Sequence, residues 1–501
     1  MSYALLQNGS DIRGIAMENE TGAEVNLTNE AARDLGYAFA IWLIEQSGKK
    51  DLKIALGRDS RLTGQALLES AAQGIAAAGV LCDDFGIAST PAMFMSTVLA
   101  DYDGSVMITA SHLPYYRNGM KFFTPKGGLE KAQIAELTKK ADDVAKKEIS
   151  FSKIGLNKVN FMEDYSKYLR DKICNGVGKS ERPLEGLKII VDAGNGAGGF
   201  YVENVLKPLG ADVTGSQFLE PDGHFPNHIP NPENKEAAES IKNATIANKA
   251  DLGIIFDTDV DRAGAVLPSG KTLTRNDLIA VLSRIALQEH PGTTIVTDSV
   301  TSSGLAKFIK AHGGVHRRFK RGYRNVIDES IRLNNEGIDS QLAIETSGHG
   351  AFKENFFLDD GAYLMVKLLI EMGKGQGLEE MIADLEEPKE SNELRFKVNL
   401  DAGEELQKNG DRILDGLVSF VERTNGWSLE KDNFEGVRVN CDKENGDGWL
   451  LLRKSLHEPI MPLNIESDSE GGCLVIAKKL KEFLGKESTL DLTPLNDFCN
   501  D

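Results

Sequence analysis

Cysteine is scarce in this chain. Its 501 residues hold five, at Cys82, Cys174, Cys441, Cys473 and Cys499. They are scattered and odd in number, and none form a CxxC pair, which argues against a disulfide framework or a thiolate zinc site and fits free thiols in a reducing compartment. Long apolar runs are also missing. "YAFAIWLIE" and "IIVDAGNGAGG" are soon broken by charge or glycine, so no membrane span is expected. The opening "MSYALLQNGSDIRG" has no basic region followed by an apolar core, so no secretory signal is read and a cytoplasmic location is expected. Cations are in deficit: 57 Lys and Arg against 76 Asp and Glu give a net charge of -19. Such a charge argues against nucleic acid or an anionic membrane as partner. An anionic small substrate would need its cations gathered locally.

What the chain does have is length, and an alternation of patterns. It exceeds one hydrophobic core and predicts about three or four domains. Apolar, β-branched runs at 52–57, 105–111, 187–194, 251–258, 293–299 and 340–348 read as buried strands. Amphipathic patterns at 29–46, 64–79 and 275–289 read as helices. The alternation predicts α/β layers with largely parallel pairing, and ligands gathering beyond the carboxyl ends of the strands. Polar, proline-bearing breaks "KSERPLEG", "EHPGT" and "LEEPKESNE" divide the chain into 1–178, 179–288, 289–389 and 390–501. The last segment differs in texture and closes on a helical pattern, "CLVIAKKLKEFLG".

Unusual residues collect at the predicted strand ends. "FDTDVDRAG" alternates Asp257, Asp259 and Asp261 before Arg262. Three carboxylates so close would repel one another without a cation, and an all-oxygen set suits Mg²⁺. An EF-hand is excluded, because its glycine and glutamate positions hold Arg262 and Pro268. "VMITASHLPYYRNGMKFF" sets Ser111 beside His112 at a strand-to-loop junction, with Lys121 soon after. Ser111 is a candidate nucleophile, although its surroundings are not the G-x-S-x-G elbow of acyl transfer, and Lys121 is a candidate proton carrier. "AIETSGHGAF" offers Glu345, Ser347 and His349, donors and acceptors that suit sugar hydroxyls. "LLRKSLHEP" offers Arg453, Lys454, Ser455 and His457, which suit a phosphate. Arg13 lies in a glycine-flanked loop, and "RRFKRGYRNVID" crowds Arg317, Arg318, Lys320, Arg321 and Arg324 together. Each cluster alone has a plainer reading as a polar turn or a solvated face.

Taken in order, the set resembles the α-D-phosphohexomutase superfamily along essentially the whole chain. "TASHLPYYRNGMKF" is similar to its phosphoserine loop, "DTDVDR" to its magnesium loop, "ETSGH" to its sugar-binding loop and "RKSLHEP" to its phosphate-binding loop. "DIRG", "LGRDSRLTG", "DAGNGAGG" and "PDGHFPNHIPNPE" are typical companions. The resemblance implies three α/β domains and a smaller C-terminal α+β domain around a central cleft, one loop on each. It implies a mutase that interconverts hexose 1-phosphate and hexose 6-phosphate, of glucose or mannose, through a phosphoserine and a 1,6-bisphosphate. Ser111 would carry the phosphoryl group and, with Asp257, Asp259 and Asp261, hold Mg²⁺. Arg13 and Arg262 would support the reacting site, with His112 beside the serine, and Lys121 and His349 would move protons or position substrate. Glu345 and Ser347 would bind sugar hydroxyls. Arg453, Ser455, His457 and Arg324 would hold the phosphate that is not reacting. The implied cofactors are Mg²⁺ and a hexose 1,6-bisphosphate activator; the implied partner is the sugar phosphate, for a monomer or homodimer.

The chain departs from the usual patterns in places. Leu113 replaces asparagine, and Thr258 and Val260 replace glycines, which predicts a stiffer aspartate loop. Leu456 and His457 stand where Gly and Thr are usual, and Pro462 where a basic residue is common. A weakened phosphate loop keeps three alternatives in view: a glucose 1,6-bisphosphate synthase, a phosphoglucosamine mutase, and a non-catalytic sugar-phosphate binding protein. His457, Arg324 and Lys454 are the candidates to compensate there.

Overall fold

A computed structural model describes residues 2–49, 51–399, 404–455 and 458–500. The chain forms two compact units, Met1–Thr274 with Ser347–Glu380, and Arg275–Thr346 with Met381–Asp501. The six expected strands all form, but most stop short of the polar residues that end each run. The run at 105–111, for example, is strand only over Gly104–Ile108, because Ser111 turns to a positive φ of 51°.

The first unit is built on an eight-stranded sheet. Its order is Gln7–Asn8, Asp11–Ile15, Arg117–Thr124, Gly104–Ile108, Lys53–Arg58, Leu81–Ile87, Asn157–Lys158, with Gly127–Gly128 pairing off Arg117–Thr124. Helix Asn29–Ser47 buries Leu35, Phe39 and Leu43; it starts where the Thr28 side chain accepts from the Ala31 N–H and ends at Gly48. A second sheet runs Thr272–Leu273, Ala263–Val266, Leu252–Phe256, Ile189–Asp192.

Pairing in both sheets is less parallel than the alternation predicts. Lys53–Arg58 is parallel to Gly104–Ile108 and to Leu81–Ile87, but Gly104–Ile108 is antiparallel to Arg117–Thr124. Likewise Leu252–Phe256 is parallel to Ile189–Asp192 and antiparallel to Ala263–Val266. The reason is loop length: segments 109–116 and 257–262 are too short for a crossover, so the chain returns as a hairpin. The two loops singled out for chemistry are therefore hairpin loops at the ends of buried strands. The unit also contains the hairpin Gly350–Phe352 with Leu358–Asp359 and the helix Gly361–Gly373, which is buried nearly all round.

The second unit sets Thr294–Thr297 between Val315–Arg318 and Ser340–Ile344, all parallel. Helices Arg275–Glu289, Ser303–Ala311 and Tyr323–Asn335 accompany them. It also holds an antiparallel sheet ordered Glu390–Lys397, Ile460–Ser467, Gly448–Leu452, Val437–Cys441, Trp427–Leu429. Helices Glu404–Val421 and Gly472–Leu484 cover that sheet, around a core of Phe396, Ile413, Leu450, Leu463 and Ile476. This α+β segment is the part whose texture differed in the sequence. Among the described residues, no helix is long and apolar enough to cross a membrane.

Candidate functional site

Ser111 is held from three sides. Thr109 donates its hydroxyl to Asp59 at 2.7 Å and accepts the Ser111 N–H at 2.9 Å. The Ser111 hydroxyl donates to Asp257 Oδ2 at 3.0 Å and accepts from Arg262 Nη2 at 3.2 Å. His112 Nδ1 lies 3.3 Å from the same oxygen. Burial, then the charges of Arg262 and Arg13, push the His112 imidazole down to about 3, so it is neutral near pH 7. Arg13 touches the loop rather than the serine: it donates to the Ala110 carbonyl at 3.2 Å and pairs with Asp11 at 3.0 Å.

The support beneath this loop comes from residues that sequence reasoning did not assign. The Arg61 guanidinium is buried and donates to the carbonyls of Ser111, Leu113, Pro114 and Arg117, while Asp59 pairs with its Nε at 3.2 Å. Burial, opposed by Arg61, holds Asp59 up at about 6. The signal was present in "LGRDSRLTG", as charged residues directly after a strand, but nothing local says that four carbonyls converge there. The arrangement also accounts for Leu113, whose backbone, not its side chain, is what Arg61 reads.

The aspartates sit in the second hairpin loop. Asp257, Asp259 and Asp261 are fully buried or nearly so, and each offers a ligand oxygen within 4.8 Å of the others. Val260 between them takes a positive φ of 67°, a conformation costly for a β-branched residue, by about 1–3 kcal/mol. The Thr90 hydroxyl donates to Asp259 Oδ2 at 2.5 Å and the Thr90 N–H to the Asp259 carbonyl at 2.8 Å. Lys121, buried on its strand, places Nζ 2.5 Å from Asp261 and 3.1 Å from Asp259. Arg262 Nε is 3.1 Å from Asp257 Oδ2.

These charges set the carboxyl groups apart. Burial and then the neighbouring Asp261 and Asp259 drive Asp257 well above the ordinary range. At Asp261, burial acts the same way but is outweighed by Lys121, His349 and Arg262, which hold it low. His349 Nδ1 lies 2.6 Å from Asp359, a partner the sequence did not reveal. Burial opposes its charge, but Asp359 and Asp261 prevail and lift it to about 9, so the ring is an imidazolium near neutral pH.

The residues fit a divalent cation. Asp259 Oδ1 and Asp261 Oδ1 are buried and have no hydrogen-bond partner, so two carboxylate oxygens in the cluster have no protein donor to satisfy them. A hard cation with oxygen ligands supplies what they lack.

The remaining candidates lie partly elsewhere. Ser347 is in the first unit with Ser111 and the aspartates, whereas Glu345 belongs to the second, where its buried carboxylate accepts the Gly322 N–H at 2.6 Å. Arg453, also in the second unit, is 5% exposed, and its Nε is buried without a hydrogen-bond partner. Burial lowers its pKa, against the pull of Glu435. The Ser455 hydroxyl accepts the Glu458 N–H at 3.3 Å. His457 and Leu456 lie outside the described residues. Arg324 pairs with Asp328 at 3.3 Å and Lys454 with Asp411 at 2.5 Å. The basic run is divided among tasks: Arg317 pairs with Glu329 at 3.0 Å, and Arg318 donates to Thr301 and the Ser302 carbonyl.

Comparison with known proteins places these features in a family context. Residues 4–148, 163–270 and 274–388 match the phosphoglucomutase/phosphomannomutase alpha/beta/alpha domains I, II and III respectively. The chain is 31% identical over 476 residues to a phosphoglucomutase of Neisseria gonorrhoeae, covering 94% of this chain and 95% of that one. It is 30% identical over 465 residues to a phosphomannomutase/phosphoglucomutase of Pseudomonas syringae pv. tomato, covering 92% and 90%. A solved phosphoglucomutase/phosphomannomutase family protein from Burkholderia thailandensis superposes with a TM-score of 0.78 at 26% identity, over 98% of this chain and 100% of that one.

Proposed function

The chain belongs to the phosphoglucomutase/phosphomannomutase family of α-D-phosphohexomutases, and from that premise we propose that it is a hexose-phosphate mutase working through Ser111. The observation that carries the reading is the Ser111 hydroxyl, held between Asp257 and Arg262 beside carboxylate oxygens that have no protein partner. The substrates proposed are the 1- and 6-phosphates of glucose and mannose, after the names of the relatives. A cytoplasmic monomer or homodimer and the four-domain division at 1–178, 179–288, 289–389 and 390–501 belong to the same reading.

In the proposed cycle, phosphorylated Ser111 gives its phosphoryl group to the free hydroxyl of a hexose monophosphate. The serine O–P bond breaks, a sugar O–P bond forms, and the hydroxyl proton passes to the protein. Lys121 is the proposed proton carrier, with His349, kept cationic by Asp359, positioning substrate oxygens. Arg262 stays on the serine oxygen and stabilises the charge that returns to it. The resulting 1,6-bisphosphate then returns its other phosphoryl group to Ser111, which restores the enzyme and makes added bisphosphate an activator. Asp257, Asp259 and Asp261, with an oxygen on Ser111, would hold Mg²⁺, which when bound neutralises charge on the transferring phosphoryl oxygens. Glu345 and Ser347 are assigned to sugar hydroxyls, and Arg453 with Ser455 to the phosphate that is not reacting.

The test is to incubate the protein with Mg²⁺ and glucose 1,6-bisphosphate and map phosphate by intact mass and peptide sequencing. Phosphate is expected on Ser111, and its absence there refutes the covalent mechanism. Phosphorus NMR of glucose 1-phosphate and mannose 1-phosphate then identifies the sugar; accumulation of bisphosphate instead of 6-phosphate would mark a synthase. Ser111→Ala should lower turnover by more than about a thousandfold with an unchanged melting temperature.

A further inference from the structure

In the second unit, the loop at 430–436 joins strands Trp427–Leu429 and Val437–Cys441. It is pinned at several points to segment 317–321 and to Ser299. The Arg317 guanidinium lies 3.9 Å from the centre of the Phe434 ring, and the Phe319 ring 5.3 Å from it. Glu435 follows, and its Oε2 accepts both the Ser299 hydroxyl and, at 3.2 Å, the Arg321 N–H. Gly436 then runs directly against Arg453. Its φ is 57°, and a Cβ there would lie 2.8 Å from Arg453 Cβ and 2.2 Å from the Leu452 carbonyl oxygen, so only glycine allows the approach.

Glu435 is thus an anion placed among groups that recognise anions. The adjacent amides of Arg321 and Gly322, just before helix Tyr323–Asn335, both donate to carboxylates, Glu435 and Glu345. The Arg321 guanidinium is near Asp298, at 3.9 Å, and Arg453 keeps a buried, unpartnered Nε. Of the charges around Arg453, that of Glu435 supports its cationic form most. Amides and guanidinium groups gathered this way form a cradle for phosphate.

We infer that Glu435 is the resting occupant of this cradle, a carboxylate of the chain itself that the substrate's non-reacting phosphate must displace. The inference rests on the assignment of Arg453 to that phosphate. It makes Glu435 a specificity-determining residue. A phosphate ester brings two negative charges where Glu435 brings one, so it gains from both arginines on exchange. A sugar carboxylate only matches the charge it replaces and gains nothing.

Glu435→Gln isolates the charge, because the amide oxygen accepts the same two hydrogen bonds. Inorganic phosphate is titrated by calorimetry into the wild type, Glu435→Gln, Arg453→Ala and the double variant. Glu435→Gln should bind phosphate about tenfold more tightly. That gain should vanish when Arg453 is also Ala, and Arg453→Ala alone should bind more weakly than the wild type. Unchanged or weaker binding in Glu435→Gln overturns the inference, as does a gain that persists without Arg453. If Arg453→Ala binds phosphate as the wild type does, the assignment of Arg453 itself fails and the inference falls with it.

Discussion

At the scale of single residues, what stands out is how many charged groups are buried in pairs. Asp59 with Arg61, Asp257 with Arg262 and Asp261 with Lys121 are all largely withdrawn from water. Such pairs cost much of what they return in desolvation, so they are better understood as fixing geometry than as adding stability. His228 shows the same logic away from the serine. Its Nε2 lies 3.0 Å from Asp192, while its Nδ1 faces the Ile229 carbonyl at 3.0 Å. Burial opposes its charge, but Asp192 prevails and raises its pKa. The folded-state pKa is above the unfolded value of about 6.5, so the pair's contribution is complete below that pH and is lost as pH rises through the raised value. Urea unfolding of the wild type and His228→Asn at pH 6 and pH 9 should show a larger stability difference at pH 6. A difference independent of pH would mean that the ring is neutral in the fold.

At the scale of elements, the two hairpins decide the chemistry. Strand Arg117–Thr124 returns beside Gly104–Ile108 and carries Lys121 to the aspartates, while its other edge pairs with Asp11–Ile15, which carries Arg13. Gly119 is where the three strands come closest. A Cβ there would stand 2.3 Å from the Ile12 carbonyl oxygen and 2.6 Å from that of Thr109, both backbone atoms that cannot swing aside. Gly119→Ala should therefore cost about 1–3 kcal/mol in urea unfolding. Because Thr109 leads into Ser111, the same change should also lower kcat. A variant with wild-type stability would show that the strands can part there at no cost.

At the scale of the whole molecule, the chain's two compact units make a single cooperative transition unlikely to describe its unfolding. Calorimetry should resolve more than one transition. The carboxylate cluster lies entirely in the first unit, so Mg²⁺ should raise that unit's transition alone. At a hundredfold excess over its dissociation constant the gain is about 2.7 kcal/mol. Asp259→Asn should abolish most of that shift. An equal shift of every transition would place the cation elsewhere. The net charge of -19 sharpens the point, since anionic substrates are drawn in only where cations have been concentrated by folding.

The sequence by itself determined the chemistry that is local. Alternating aspartates at the end of an apolar run, a serine where a strand stops, and strands alternating with helices all follow from periodicity and side-chain type, which act over a few residues. The tertiary structure decided what depends on distant segments meeting. It turned the serine and aspartate loops into hairpins, brought Asp359 to His349, and set Arg61 under four carbonyls of the serine loop. It also paired the arginines that looked like one basic patch with different partners. Glu435 is the clearest case. In sequence it is one carboxylate among 76 acidic residues, and only the docking of its loop against Ser299 and Arg321 gives it a role. A charge has meaning only against the charges around it, and those are chosen by the fold.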